Sequence, residues 1–286
     1  MAQTTVPTPP TAAPPKVKPT GRSIGDSRFL GPFTQVGKIL VFGGDVLGQT
    51  PLMLARYIGE VWWYAAFLAI GSTPVVLLLV AFTGLQCSVE AYYSLSQIGA
   101  QGLVGVFNAL CDMREITPLF FGFALGAKIG CGLVAELGTM RVNEELDALD
   151  VMGMPTVRYV VTSRVIAALL IMPFMYFLAL ASSFTASWFV QHFQVGLISD
   201  GAYFDYFWRF LNIKDLVFSM IKAVSFAFLI ILVAIYYGFH VTGGAVGIGK
   251  AVAKTMAVAL VMTVLMNAFL TQLFWGVDAN LPIPGG

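Results

Sequence analysis

Five apolar runs, each close to the roughly 20 residues that an α-helix needs to cross a bilayer, constrain this sequence more than any other feature. Hydrophobic residues make up 58% of the chain and charged residues only 11%, whereas a soluble domain carries roughly 25% charged residues. Such a chain must face lipid, so we predict an all-α integral membrane protein with five transmembrane helices. The predicted spans are Val61–Thr83, Ile116–Leu137, Val165–Phe189, Leu216–Tyr237 and Thr255–Trp275.

The basic residues between these spans are distributed unequally, which predicts the orientation. With the N-terminus in the cytoplasm, Arg114, Arg209 and Lys214 fall outside, and a much larger set falls inside. Because basic residues are enriched in cytoplasmic loops, we predict a multi-pass protein of the plasma (inner) membrane with a cytoplasmic N-terminus and an extracytoplasmic C-terminus. The inside set is Lys16, Lys18, Arg22, Arg28, Lys38, Arg56, Arg141, Arg158, Arg164, Lys250 and Lys254.

The segments that flank the spans have their own composition. Residues 1–32 are rich in proline, threonine and alanine and lack an apolar core, which predicts a disordered Pro-rich cytoplasmic tail. Residues 33–57 are apolar but interrupted by charged residues and a proline, so we expect an amphipathic helix lying in the membrane interface rather than a sixth span. Residues 58–276 then form the membrane domain, and residues 277–286 form an extracytoplasmic C-terminal tail.

The second predicted span carries glycines at four-residue intervals, at Gly122, Gly126 and Gly130. This spacing places the three glycines on one helix face, where the absence of side chains lets another helix approach closely. The approaching helix could belong to this chain or to a second subunit, and the spacing does not decide between them. We therefore predict a helix-packing surface of either kind.

Lys128 lies in the same span and is unusual there. A cation near the middle of a span costs roughly 3 kcal/mol on insertion scales, so the side chain should face protein or a water-filled cavity. On one interpretation Lys128 meets the anionic headgroup of a lipid. On the other it pairs with a buried carboxylate such as Glu115 or Glu90. These three residues are the candidates for a lipid pathway.

The loop between the second and third spans, Glu136–Gly153, is the most charged stretch of the membrane part. Apolar residues at helical spacing, surrounded by acidic residues, predict a short amphipathic cytoplasmic helix over Val142–Met152 that ends at Gly153. Such a helix can be a solvated loop, or it can dock into a groove on another subunit. The apolar positions are Val142, Leu146, Leu149, Val151 and Met152.

No group of residues in the sequence predicts catalysis or metal binding. The three cysteines and two histidines lack metal-ligand spacing, and the spans contain no nucleophile–base arrangement. Gly244–Ala251 comes close to a phosphate-binding loop, but Ala251 replaces the hydroxyl that would hold Mg²⁺. We expect a non-enzymatic chain that binds no cofactor, so any nucleotide is hydrolysed by another subunit. The net charge of +1 favours no nucleic-acid partner.

The loop Glu136–Gly153 resembles the signature loop of the MlaE/YrbE family of ABC transporter permeases. As in that family, it follows the segment Arg114–Pro118 and a glycine-rich span, and a glycine-rich turn precedes the last span. The resemblance covers about Phe33–Trp275, so residues 58–276 are expected to form a permease domain. Within the family, the loop and the ending Trp275–Asn280 are similar to the B-type paralogue of the actinobacterial (mycobacterial) YrbE proteins, which serve Mce systems.

This resemblance implies a permease subunit of an ATP-driven Mce-type transporter that moves fatty acids, mycolic acids or sterols across the plasma membrane, inward. It implies as partners an A-type YrbE permease in a heterodimer, a cytoplasmic ABC ATPase dimer that uses ATP and Mg²⁺, and an extracytoplasmic hexamer of Mce proteins. Lys128 stands where the MlaE branch carries arginine, which weakens a bidentate grip on phosphate or carboxylate. The ATPase would bind the coupling helix through Arg141, Glu144, Glu145, Leu146, Asp147, Leu149, Asp150 and Met152.

Two other classes of function compete with the lipid permease. A small-solute channel or secondary transporter would favour more polar residues at mid-depth or an internal repeat. An intramembrane lipid-modifying enzyme would need a catalytic constellation within the spans. Neither pattern is evident, so the permease is the favoured hypothesis.

Overall fold

The computed structural model describes residues 31–48, 50, 57–196 and 199–277. The chain forms two compact units, Met1–Lys38 and Ile39–Gly286. Helix α1, Gly31–Gly48, begins in the first unit and ends in the second. Nearly all of the predicted N-terminal tail, part of the predicted interfacial segment 33–57 and most of the predicted C-terminal tail lie outside the described residues.

The described part of the chain is helical and contains no strand, which confirms the predicted fold class. Five of its helices are long and apolar enough to cross a membrane, and each includes one predicted span. These helices are α2 (Ile58–Ser96), α3 (Gln101–Val142), α5 (Tyr159–Val195), α7 (Ile213–Phe239) and α8 (Gly244–Trp275). The shorter helices are α4 (Glu145–Val151) and α6 (Asp200–Phe210).

The bundle has two ends, which we name by the connections found there. The near end holds α4 and the turn between α7 and α8, and the far end holds α6 and the turn between α2 and α3. In the unit Ile39–Gly286, the second half of α1 packs on the near end of α7, where Phe42 contacts the rings of Tyr236, Phe239 and His240. Its location at a membrane interface remains a prediction.

The core of the bundle lies around α7, which contacts α3, α5 and α8. Helix α2 packs along α5 so closely that a Cβ on Gly84 would lie 2.5 Å from the carbonyl oxygen of Ser183. By contrast, α2 and α8 expose long apolar surfaces, including Trp62 and Phe67 on α2 and Phe269 on α8. Such surfaces must face lipid or another membrane protein.

Buried polar side chains join α2, α3 and α5 toward the far end. The hydroxyl of Ser88 accepts hydrogen bonds from Asn108 (3.0 Å) and Gln191 (2.8 Å) and donates to the carbonyl of Ser187 (2.9 Å). The hydroxyl of Ser187 in turn donates to Asp112 at 2.6 Å. Because lipid cannot satisfy polar groups, these bonds hold the three helices in one arrangement.

Helix α6 caps the far end outside the spans. The hydroxyl of Ser199 accepts a hydrogen bond from the backbone N–H of Ala202, which begins the helix. Burial raises the pKa of Tyr203 to about 12. At the surface, Asp200 pairs with His192 at 2.9 Å, and the hydrogen bond with His192 lowers the pKa of this carboxyl.

Candidate functional site

A buried ion pair links α3 to α7 near the far end. The π-helical turn Asp112–Ile116 interrupts α3, and π turns are frequent at functional sites. Arg114 of this turn donates to Asp215 at 2.6 and 3.2 Å, and the Asp215 side chain is fully buried. The indole of Trp275 donates to the other oxygen of Asp215 at 2.7 Å. The carboxylate of Asp215 is therefore fully partnered, as a buried charge requires.

The neighbouring residue of the turn, Glu115, holds a second buried cation. Lys222 of α7 is fully buried, and its ammonium lies 3.2 Å from Glu115. The ammonium also donates to the carbonyl of Arg114 and the hydroxyl of Thr271, both at 2.8 Å. Glu115 further accepts from Thr271 (2.6 Å) and Asn267 (2.9 Å) of α8. We call the group Arg114, Glu115, Asp215, Lys222, Asn267, Thr271 and Trp275 the far-end network.

An open cavity of about 560 Å³ borders this network. Its wall is mostly apolar, with Leu95 of α2 and Phe107 of α3 among the lining residues. Arg114, Glu115, Thr271 and Trp275 supply the polar part of the wall. This far-end cavity can therefore hold an apolar molecule that carries one polar group.

A second π-helical turn, Gly126–Gly130, carries Lys128. The Lys128 side chain is exposed and forms no ion pair within the described part of the chain. It lines a cavity of about 370 Å³ between α2 and α3, which we call the central cavity. Phe67 and Gly71 of α2 lie in the opposite wall. The structure thus leaves a cation facing space rather than a carboxylate.

The central cavity ends at an ion pair between α3 and α5. Arg164 donates from Nε (3.1 Å) and Nη2 (2.5 Å) to one oxygen of Glu136, and the phenol of Tyr64 donates to the other at 2.7 Å. The Arg164 guanidinium also lies 4.9 Å from the Tyr64 ring centre, within range of a cation–π contact. Beyond the pair lies a near-end cavity of about 420 Å³ between α2, α4 and α5.

The near-end helix α4 is shorter than the predicted Val142–Met152. Helix α3 continues to Val142, and Glu144 then adopts a left-handed conformation (φ 59°), so α4 begins only at Glu145. Leu146 is completely buried and Leu149 packs against the core, whereas Val151 and Met152 are exposed. The predicted apolar stripe therefore divides into an anchor to the bundle and a free apolar end.

The acidic residues of α4 and its entry face outward. Glu144, Glu145, Asp147 and Asp150 are all exposed. Asp147 pairs with Arg141 at 2.6 Å, and Asp150 bonds to the hydroxyl of Thr156. This part of the near end presents negative charge beside exposed apolar side chains.

The three glycines of α3 face α7 and α8 of the same chain. A Cβ on Gly122 would lie 3.0 Å from Thr263, one on Gly130 would lie 3.2 Å from Ile230, and one on Gly126 would lie 3.9 Å from Met256. The glycine spacing was compatible with packing against a helix of this chain or of a second subunit. These distances show that helices of this chain pack there.

The candidate lipid-pathway residues do not form one group. Glu115 pairs with Lys222 rather than Lys128, and Glu90 is exposed on α2. Sequence reasoning missed the roles of Lys222 and Asp215, although a lysine inside a span was a usable signal for the first. It also missed the Glu136–Arg164 pair, because residues 28 positions apart reveal their contact only in the fold.

Comparison with known proteins agrees with this architecture. The sequence model of the family described as Permease MlaE matches residues 61–273. The chain is 28% identical over 229 residues to a probable ABC transporter permease protein of Rickettsia prowazekii, covering 80% of this chain and 86% of that protein. It is also 28% identical over 239 residues to the chloroplastic protein TRIGALACTOSYLDIACYLGLYCEROL 1 of Arabidopsis thaliana, covering 80% and 66%. A probable ABC transporter permease protein of Synechocystis is 26% identical over 204 residues, covering 71% and 77%.

Proposed function

The chain belongs to the MlaE permease family, and on that premise we propose that it is the membrane-spanning subunit of an ATP-driven lipid transporter. The observation that carries the proposal is Lys128, which faces the largely apolar central cavity from within a transmembrane helix. An unneutralised cation at that depth costs free energy unless an anion meets it. A lipid with an anionic headgroup supplies both the anion and the apolar chain for the cavity.

The far-end cavity supports the same substrate class. Its apolar wall offers room for an acyl chain, and Arg114 and Glu115 lie where a polar headgroup would stop. The name of the Arabidopsis relative refers to a glycerolipid, which favours lipid over a small solute. We propose fatty acids or mycolic acids, whose carboxylates can meet Lys128, as the substrates, with neutral sterols as the alternative, and import as the direction.

The near end is proposed to bind a cytoplasmic ABC ATPase dimer. The exposed acidic residues around α4 can pair with basic residues of the ATPase, while Val151 and Met152 can enter an apolar groove. In this arrangement the chain binds no nucleotide, and the ATPase holds ATP and Mg²⁺. The excess of basic residues on the near-end side supports a cytoplasmic near end and an extracytoplasmic far end.

The remaining partners follow from the resemblance of Glu136–Gly153 to YrbE loops. We propose a heterodimer with an A-type YrbE permease, in which this chain is the B-type subunit of an Mce system. The exposed apolar faces of α2 and α8 offer surfaces for the second permease and for lipid. A hexamer of extracytoplasmic Mce proteins would meet the far end.

The lipid hypothesis is tested by replacing Lys128 in the assembled complex. For Lys128→Gln we expect about tenfold lower uptake of a radiolabelled fatty acid, because an anionic group loses one charge-assisted contact. Native mass spectrometry would show less bound lipid in the variant. The control is Lys250→Gln, which removes an exposed lysine of α8. Equal uptake by wild type and Lys128→Gln would contradict the proposal.

The docking role of α4 is tested by charge reversal. The double variant Glu144→Lys, Glu145→Lys should insert normally but retain far less ATPase on purification, since it would repel a basic groove. Asp205→Lys, which reverses an exposed charge at the far end, is the control and should retain the ATPase. Undiminished ATPase retention in the double variant would refute the docking role.

A further inference from the structure

The central and near-end cavities meet at one ion pair. Trp63 and Tyr64 of α2 line both cavities. Glu136 belongs to the wall of the central cavity, and Arg164 belongs to the wall of the near-end cavity. The contact between these two side chains therefore forms the boundary between the two spaces.

The boundary is held by polar bonds that a ligand could replace. Both Arg164 bonds to Glu136 end on the same carboxylate oxygen, and the other oxygen is held by Tyr64. Arg164 also donates from Nη1 to the carbonyl of Val160 at 2.7 Å, which keeps the guanidinium in place when Glu136 moves. A guanidinium has five N–H donors in a fork that matches carboxylate and phosphate oxygens.

Arg164 also lies in line with Lys128 along the bundle. Lys128 and Glu136 are eight residues apart on α3 and line the same cavity, so about 12 Å separates them along the axis at roughly 1.5 Å per residue. An anion leaving Lys128 toward the near end reaches the Glu136–Arg164 pair next. Glu136 is therefore already bonded to Arg164, the cation that an incoming carboxylate or phosphate would bind.

We propose that Arg164 is a second binding station for the anionic headgroup of the lipid, and that Glu136 occupies this station until the headgroup displaces it. The inference rests on the proposed lipid function and extends it from one cation to two. The displaced Glu136 keeps its hydrogen bond from Tyr64, so its carboxylate is not left without a donor. The exchange opens the boundary between the two cavities.

The second station also touches the helix proposed to bind the ATPase. Glu145 and Leu149 of α4, and Met152 directly after it, line the near-end cavity together with Arg164. A displacement of α4 therefore changes the shape of the space beside the second station. This contact provides a direct route by which ATPase movement alters headgroup binding.

Photolabelling of the assembled transporter in nanodiscs tests the station. The probes are oleic acid, lysophosphatidic acid and oleyl alcohol, each with a diazirine beside its polar end, and labelled peptides are located by mass spectrometry. We expect the carboxylate or the phosphate probe to label the near-end cavity at Met140 or Tyr159, and the better of the two identifies the headgroup. Near-end labelling by the neutral alcohol at the same level would overturn the proposal.

Variants of Glu136 and Arg164 should change near-end labelling in opposite directions. Arg164→Gln should lower near-end labelling roughly tenfold or more and leave central labelling at Phe67 in place. Glu136→Gln, which still accepts from Tyr64 but competes weakly for Arg164, should raise near-end labelling. Arg164→Lys keeps the positive charge and should retain part of the near-end labelling. Equal losses in the lysine and glutamine variants, or no change in Glu136→Gln, would reject the station.

The outcomes separate this inference from the function on which it rests. Arg209→Gln removes an exposed Arg–Asp pair and should label like wild type. If the anionic probes label the central cavity but never the near-end cavity, the second station fails and the lipid permease stands. If they label neither cavity, the proposed function fails as well.

Discussion

The far-end network and the central cavity each contain a lysine of a membrane-crossing helix, and the two lysines differ in whether they have partners in the fold. Lys222 is fully buried and bonded to Glu115, Thr271 and a backbone carbonyl. Lys128 is exposed to a cavity and has no ion pair among the described residues. The first arrangement links α3, α7 and α8 through hydrogen bonds. The second leaves the lysine accessible to an anion from outside the described chain. A position within a membrane-crossing helix therefore does not by itself indicate whether a lysine has an ion-pair partner in the fold.

The largest effect should come from breaking the buried pair of the network. Asp215→Asn removes the charge of a fully buried carboxylate that accepts from Arg114 and Trp275, so we expect a loss of about 3–5 kcal/mol in the free energy of unfolding. A denaturing-detergent titration measures this loss. Asp205→Asn breaks an exposed Arg–Asp pair and should cost no more than about 1 kcal/mol. Similar losses in the two variants would contradict the structural role of the network.

Replacing each lysine by methionine compares the two regions directly. Lys222→Met should cost about 2–3 kcal/mol, because Glu115 loses its cation but keeps bonds from Asn267 and Thr271. Lys128→Met should not lower the free energy of unfolding, because it breaks no ion pair in the described chain and removes a cation that is costly within a membrane span. The same titration measures both variants. A loss at Lys128 would show that it, too, has a structural partner.

Two glycines of α3 offer a smaller version of the same comparison. Gly130→Val places a methyl group against Ile230 and should cost about 1–3 kcal/mol by overpacking. Gly132 lines the central cavity, and a Cβ there meets nothing within 4 Å. Gly132→Val should therefore unfold like wild type while retaining less lipid in native mass spectrometry. Full lipid retention would argue against the central cavity as a lipid site.

The smallest effect is expected at the exposed Asp200–His192 pair. Because folding lowers the pKa of Asp200, this carboxyl stabilises the fold above its unfolded pKa of about 3.9, and the contribution is lost as the pH falls through the folded pKa. Asp200→Asn should therefore lower the unfolding temperature slightly at pH 7, and the difference should vanish in strong acid. A difference that persists below the folded pKa would mean that Asp200 acts through something other than its charge.

The sequence predicted the class of the fold well because hydrophobic run length is a local property. Five apolar runs gave five helices, and the family resemblance carried by Glu136–Gly153 is confirmed by the match over residues 61–273. Helix ends were predicted less well. The π-helical turn of α3 at Lys128 and the left-handed conformation of Glu144 depend on how neighbouring helices pack. No periodic pattern in the sequence therefore predicts them.

The candidate site was predicted only in part, because ion pairs in a bundle join distant positions. Lys128 and Glu115 were both singled out from sequence, but Glu115 meets a lysine 107 positions away. Lys222 lies inside a predicted span, and only the fold shows that it is completely buried against Glu115. From sequence, Arg164 contributed only to the basic charge of the cytoplasmic side. The fold shows that it forms an ion pair with Glu136.

Sequence alone therefore determined that this chain is an all-α membrane protein, that its described part holds five helices able to cross a membrane, and which family it belongs to. These properties follow from free energies of transfer summed along single helices and from one contiguous loop. Only the tertiary structure decided which charges neutralise one another and which face open space. That decision depends on distances of a few ångströms between helices, and in a medium that solvates no charge those distances separate a structural lysine from an available one.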